Sequence, residues 1–402
     1  MTRRAHQTAT VRAGIGSDAH HGAVIPPLHL STTFEFPDLD EKPPYDYSRS
    51  GNPTRGHLAD ALARLEGGAG AAVTSSGMSA VALALQLLKT GDRVVAPHDC
   101  YGGTHRLLQA LHARGSLSVQ HRDLTRLDGL EANAFDGVGM VWIETPSNPL
   151  LRITDVVARC QRAKEAGAFV VVDNTFLSPV LQRPIELGAD LVVHSTTKYL
   201  NGHSDVVGGA VISATEELAQ EIDWWANCTG VSGSPFDSYL TLRGLRTLHT
   251  RIRAHEQNTA AVVDVLSQHA AVRHVYYPGL PSHPGHELAA RQQDGFGAMV
   301  SAELAGGEAE VRRFVHALRH FSLAESLGGV ESLVCHPATM THASMPAEAR
   351  AVAGIADSLV RFSIGIEDGA DLAADLRAAL DTTIHTLTLS RPADVGAEVH
   401  HV

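Results

Sequence analysis

The sequence predicts an α/β fold with a mostly parallel central sheet and a smaller C-terminal α+β domain. Three observations carry that reading. Short apolar, β-branched runs at 139–143, 168–172 and 189–194 each stop at a polar residue, as buried strands do. Helical patterns at 155–165 and about 180–187 separate them, and such alternation builds a parallel sheet covered on both faces. Further along, the apolar runs thin to 298–304, 333–336 and 359–366, which suits a second, smaller sheet.

Residues 1–60 are rich in Gly, Pro, Ser, Thr and Asp and show little periodicity. They read as an irregular N-terminal arm that packs on a neighbouring subunit. Residues 61–255 hold the strand–helix alternation and form the main domain. Within them, the stretch 74–79 opens a helical pattern at 80–89, and Trp224-Trp225 precedes a Gly/Ser-rich loop at 230–235. From residue 238 one long helical pattern runs through Arg251, Ala254, Asn258, Val262 and Leu266 and leads into the C-terminal domain, residues 256–402. The last stretch, 391–402, reads as frayed.

Composition narrows the function. Lys and Arg number 32 against 44 Asp and Glu, so the net charge is −12. That balance argues against bulk nucleic-acid or membrane-surface binding while leaving room for a local basic pocket. No apolar stretch approaches the ~18 residues of a membrane span. Basic residues follow Met1-Thr2 without an apolar segment after them, so no signal peptide is expected. Cys100, Cys160, Cys228 and Cys335 are scattered and read as reduced thiols of a cytoplasmic enzyme. The 24 histidines include His20-His21 and His400-His401, yet none has partners at ligand spacing, so no metal is expected.

The chemistry gathers at the strand ends. In a parallel sheet the carboxyl ends of the strands form the ligand crevice. Glu144, Asn148, Asp173, Ser195 and Lys198 all follow such ends. A lysine after an apolar run is ordinarily a solvated charge, but this one, in Ser195-Thr196-Thr197-Lys198, has company. Asp173 supplies a carboxylate, and Ser75-Ser76-Gly77-Met78-Ser79 opens a helix whose free N–H groups suit an anion. Pyridoxal 5′-phosphate needs these three parts: a lysine for its aldehyde, a carboxylate for its pyridinium nitrogen and a cradle for its phosphate. Tyr101 precedes two glycines that let the backbone approach a flat ligand. Arg361 interrupts an apolar strand and is a candidate partner for a substrate carboxylate.

With these residues assembled, the chain resembles the Cys/Met-metabolism family of pyridoxal-phosphate enzymes over about residues 5–380. The carrying stretches are 47–55, 75–79, 101–106, 144–149, 173–178, 194–204, 325–332 and 340–344. The resemblance implies an aspartate-aminotransferase-like fold assembled as a homotetramer, a dimer of dimers. It implies that Lys198 carries the cofactor, that Asp173 pairs with the ring nitrogen and that Tyr101 stacks on the ring. Gly77, Met78, Ser195 and Thr197 would hold the phosphate, with Tyr47 and Arg49 reaching in from the neighbouring subunit. Arg361, Asn148 and the Ser326 backbone would bind the substrate α-carboxylate.

Within the family the chain resembles bacterial cystathionine γ-synthases, through 46–49, 97–100, 224–227 and 236–239. That similarity implies γ-replacement of O-succinyl-L-homoserine by L-cysteine, with Glu325 near the cysteine amine and Arg106 or Arg49 near the distal carboxylate. Cystathionine γ-lyase and O-acetylhomoserine sulfhydrylase use similar residues and stay open, as does a cofactor-binding regulator without turnover. Methionine γ-lyases carry a cysteine where this chain has Gly103, which disfavours that activity.

Overall fold

The computed structural model describes residues 3–126, 134–343, 345 and 347–389; the expected frayed tail 391–402, His400-His401 and Met1-Thr2 lie outside them. Seven strands make the large sheet: β1 (Gly70–Thr74), β2 (Arg93–Pro97), β3 (Ser118–Arg122), β4 (Val138–Glu144), β5 (Phe169–Asp173), β6 (Leu191–His194) and β7 (Gly209–Ser213). Their spatial order is β1-β7-β6-β5-β4-β2-β3. Neighbours from β6 to β3 run parallel, while β7 is antiparallel to both β6 and β1. The three runs read from the sequence are the central β4, β5 and β6.

Alternation along these strands explains the two covered faces. Met140 and Trp142 on β4, with Val171 and Leu191, pack into one apolar cluster. Val141 and Ile143, with Val170 and Val172, pack into another on the opposite face. A strand buried on both faces is an almost continuous apolar run, as these are up to their polar ends at Glu144, Asp173 and His194.

The second sheet contains β8 (Val272–Tyr276), β9 (Met299–Leu304), β10 (Ser322–Leu323), β11 (Leu333–Cys335) and β12 (Leu359–Ser363), in the order β10-β11-β12-β9-β8. It is antiparallel except for β10 with β11. The helix Leu248–Gln268 lies between the sheets and contributes Ile252, Val262 and Leu266 to a core shared with both.

Several helices differ from the sequence pattern. The pattern at 180–187 is a helix only over Ser178–Leu181, because Pro184 removes a donor and the chain turns back to β6. The helix expected at 80–89 spans Gly77–Ala84, capped by the Ser76 hydroxyl on the Ser79 N–H, and tightens into a 3₁₀ turn at Leu85–Leu87. The long pattern from 238 is two helices, Pro235–Leu245 and Leu248–Gln268. At their junction Arg251 donates to the carbonyls of Gly244 at 2.9 Å and Tyr199 at 2.8 Å, which ties the bend to the turn after Lys198. The arm is not wholly irregular: it holds a helix at Arg3–Val11, and Asn52 caps a helix Pro53–Glu66. The expected domain limits near 60 and 255 therefore both fall inside helices.

Candidate active site

Parallel packing brings β4, β5 and β6 into register, with Glu144 opposite Asp173 and Asp173 opposite Val193. Their ends open onto a cavity of about 270 Å³. It is lined by Tyr101, Asn148, Asp173, Ser195, Lys198, Glu325, Ser326 and Arg361, which the sequence had marked in separate stretches. Asp173 ends β5, and Tyr101, Asn148, Ser195 and Lys198 lie in the segments that follow β2, β4 and β6; the loop before β11 and β12 itself supply the rest.

Lys198 sits in a turn after β6 held by Gly202 N–H donating to the Lys198 carbonyl at 2.8 Å. Its Nζ donates to Ser326 Oγ at 2.6 Å. Burial, then the nearby Arg361 guanidinium, lower its pKa to about 8, against a weaker opposing pull from Glu325. An amine with that value is partly neutral near neutral pH and can act as a nucleophile or base. In the cofactor-free protein, amine-directed labelling of Lys198 should therefore rise with a midpoint near 8, whereas an ordinary lysine titrates near ~10.4. Arg361→Leu should move that midpoint upward, read by mass spectrometry of the labelled peptide. The sign for stability follows. The folded pKa lies below the unfolded one, so this group's contribution to stability rises with pH between about 8 and ~10.4.

Asp173 accepts the Thr175 N–H at 3.0 Å, and burial raises its pKa. Thr175 also accepts the Ser195 N–H through its hydroxyl at 2.9 Å, joining the β5 and β6 ends. A Cβ on Gly77 would lie 2.8 Å from Ser195 Cβ, so only glycine lets the helix start approach Ser195. There the N–H groups of Gly77 and Met78 have no intrahelical partner. Gly77→Ala should weaken phosphate affinity by about tenfold, measured as the cofactor dissociation constant.

Tyr101 is 45% exposed and stands at the start of the helix Gly102–Ala113. A Cβ on Gly103 would meet its Cε1 at 2.6 Å and Met78 Sδ at 2.7 Å, so the ring needs glycine beside it. Arg361 is buried, and its fork donates to Asn148 Oδ1 and to the Ser326 carbonyl, both at 2.9 Å. Its Nε has no hydrogen-bond partner among the described residues. Ser326 takes a positive φ of 87°, which turns its carbonyl to Arg361 and its hydroxyl to Lys198.

Other expected residues stand apart. Thr197 Oγ1 is engaged with the Gly208 backbone, accepting its N–H at 3.0 Å. Arg106 is exposed on its helix. Tyr47 is exposed, and Arg49 donates to the Asn227 carbonyl at 2.7 Å in a separate cavity. Within one chain neither reaches Lys198's cavity. The sequence reading missed Thr175, Phe176 and Thr341 as lining residues. Thr175 had a signal, two residues past a strand end, whereas Thr341 is brought in only by the second sheet.

The cavity fits pyridoxal 5′-phosphate on its own terms. A lysine without an acidic hydrogen-bond partner, a buried carboxylate and Ser195 line one space, and the helix start at Gly77 packs directly against Ser195. Among the described residues no group of three or more metal-ligating side chains could hold an ion, and no helix is long and apolar enough to cross a membrane.

Comparison with known proteins agrees with this geometry. The family model for the Cys/Met metabolism PLP-dependent enzymes matches residues 7–381. Cystathionine gamma-synthase of Escherichia coli is 55% identical over 94% of this chain and 97% of its own. Cystathionine gamma-lyase of Dictyostelium discoideum is 48% identical over 93% of this chain and 97% of its own. The crystal structure of cystathionine gamma synthase from Xanthomonas oryzae pv. oryzae, in complex with aminoacrylate and cysteine, superposes with a TM-score of 0.93 at 59% identity, covering 95% of this chain and 99% of that one. With its pocket and these relatives in agreement, the chain belongs to the Cys/Met-metabolism family of PLP-dependent enzymes.

Proposed function

We propose that this chain catalyses γ-replacement, converting O-succinyl-L-homoserine and L-cysteine into L-cystathionine and succinate. The observation that carries it is the meeting of Lys198, Asp173 and Arg361 in one cavity. The likeness to cystathionine γ-synthases supports this choice of substrates. In the reaction the γ-carbon–oxygen bond breaks, succinate leaves, a γ-carbon–sulfur bond forms and the cysteine thiol gives up its proton.

Bound pyridoxal 5′-phosphate supplies an aldehyde for the substrate amine and a protonated ring that draws electrons from the α-carbon. The chain's residues do the rest. Asp173, as a carboxylate, holds the ring-nitrogen proton. Gly77, Met78 and Ser195 receive the phosphate, with Thr197 close by. Arg361 and Asn148 grip the substrate α-carboxylate and so fix the α-carbon before Lys198. Lys198 Nζ removes the α-proton and carries protons to and from the β-carbon, beside the Tyr101 hydroxyl. Glu325 meets the cysteine amine, and Arg106 or Arg49 the distal succinyl carboxylate.

Arg49 and Tyr47 act, in this reading, from a neighbouring subunit of a homotetramer. Their exposure supports it, as do Leu30, Phe36 and Leu39, exposed apolar side chains of the same arm. The enzyme works in the cytoplasm, which agrees with its unpaired Cys100, Cys160, Cys228 and Cys335.

The test is incubation with O-succinylhomoserine, with and without L-cysteine, followed by mass spectrometry. Cystathionine with succinate is expected. Only 2-oxobutyrate and ammonia, unchanged by cysteine, would move the assignment to γ-elimination, the activity in the name of the Dictyostelium relative.

A further inference from the structure

Glu144 ends β4, in register with Asp173 on β5. Register partners on parallel strands point to the same side of the sheet, so the two carboxylates leave its edge together. Glu144 is buried, and that burial, with Asp173 beside it, raises its pKa, while the bonds it accepts from Tyr101 and Trp142 pull the other way and favour the ionised form. A second buried acid at this place is costly unless its oxygens are matched. Among the described residues they are matched by two donors: Trp142 Nε1–H on Oε1 at 3.0 Å and Tyr101 N–H on Oε2 at 2.7 Å.

The second bond bears on the site. Tyr101 heads its helix with no side-chain cap. The Tyr101 N–H is held by Glu144, and the ring leans over Gly103 toward Met78. Trp142, fully buried on the same strand, fixes the other oxygen and hence the carboxylate plane.

We propose that Glu144 is the positioning residue for Tyr101, gripping its backbone N–H and so setting where its ring stands over the Lys198–Asp173 pocket. This inference rests on reading the pocket as the cofactor site with Tyr101 as its ring-side wall.

A carboxylate offers an acceptor to each donor, whereas a glutamine offers one oxygen and turns an NH₂ toward the other donor. Glu144→Gln therefore sets two donors against each other. Trp142→Phe removes one of them, so the pair W142F/E144Q leaves the amide oxygen for Tyr101. The readouts are the visible circular dichroism of the bound cofactor, which senses ring placement, and the cofactor dissociation constant.

For E144Q the visible dichroism should fall sharply and affinity should weaken by about tenfold. For W142F/E144Q both should return to within about threefold of wild type. Far-UV spectra and melting curves establish that each variant is folded. Unchanged dichroism in E144Q, or a folded W142F/E144Q as impaired as the single variant, would overturn the inference. If E144Q alone fails to fold, the double variant decides: wild-type dichroism supports the grip and its loss refutes it. A wild-type protein that takes up no pyridoxal phosphate would overturn the cofactor reading as well, which separates the two failures.

Discussion

Lys198→Ala is expected to abolish turnover, with residual rates at least about 10⁴-fold below wild type. The reasons are cumulative. In the proposed mechanism the side chain removes and returns protons at carbons that are weak acids, and no other lysine among the described residues lines the cavity. In that proposed mechanism it is also the attachment point for the cofactor aldehyde, so the visible band of lysine-bound cofactor should vanish. Cofactor should still bind weakly, because Asp173, Ser195 and the Gly77 cradle are untouched. Arginine should not rescue, since a guanidinium cannot be deprotonated in a protein. Steady-state assays and absorption spectra check this together. Activity within tenfold of wild type, or an intact band, would refute the role assigned to Lys198.

Arg361→Leu should have the second largest effect, lowering kcat/KM by about 10²–10⁴-fold, chiefly through KM. The guanidinium is buried on β12 and held at 2.9 Å from both Asn148 Oδ1 and the Ser326 carbonyl. Those bonds fix the planar fork while Nε stays without a protein partner among the described residues. A preset fork loses little freedom on meeting a carboxylate. Leucine removes that charge and strands two acceptors, so the melting temperature should fall by a few degrees, less per unit of lost stability than in a small domain. Lysine should recover little, because one ammonium cannot span Asn148, Ser326 and a carboxylate. Kinetics with a series of amino-acid substrates and a melting curve are sufficient. An unchanged KM would show that the substrate carboxylate lies elsewhere.

Much of this site was legible because parallel sheets place chemistry at strand ends. Glu144, Asp173 and Ser195 follow apolar runs directly, and register does the rest. The antiparallel β7 was not legible, since strand direction leaves no mark on apolar alternation. Nor was the bend between the helices Pro235–Leu245 and Leu248–Gln268, which depends on Arg251 bonding distant carbonyls. Thr341 escaped for a similar reason. It reaches the cavity through the Thr341–His342 hydroxyl–ring bond of 2.9 Å and His342's contact with the Asn148 carbonyl at 3.2 Å. Glu144 was noticed as a strand-end acid, but its grip on Tyr101 needed coordinates.

The pocket's two-sheet construction has an evolutionary side. The groups assigned to the cofactor, Lys198, Asp173 and Ser195, come from the strand ends of the large sheet. Glu325, Ser326 and Leu327 come from a loop of the other one, and Thr341 from beyond β11. Substitutions in those later segments can thus alter which partner enters and what becomes of the γ-carbon, with the phosphate cradle left intact. Descent within such a lineage can drift between joining and cleaving sulfur compounds by small steps, each intermediate retaining a loaded cofactor. Paralogues with opposite metabolic directions are what that separation of inherited parts would produce.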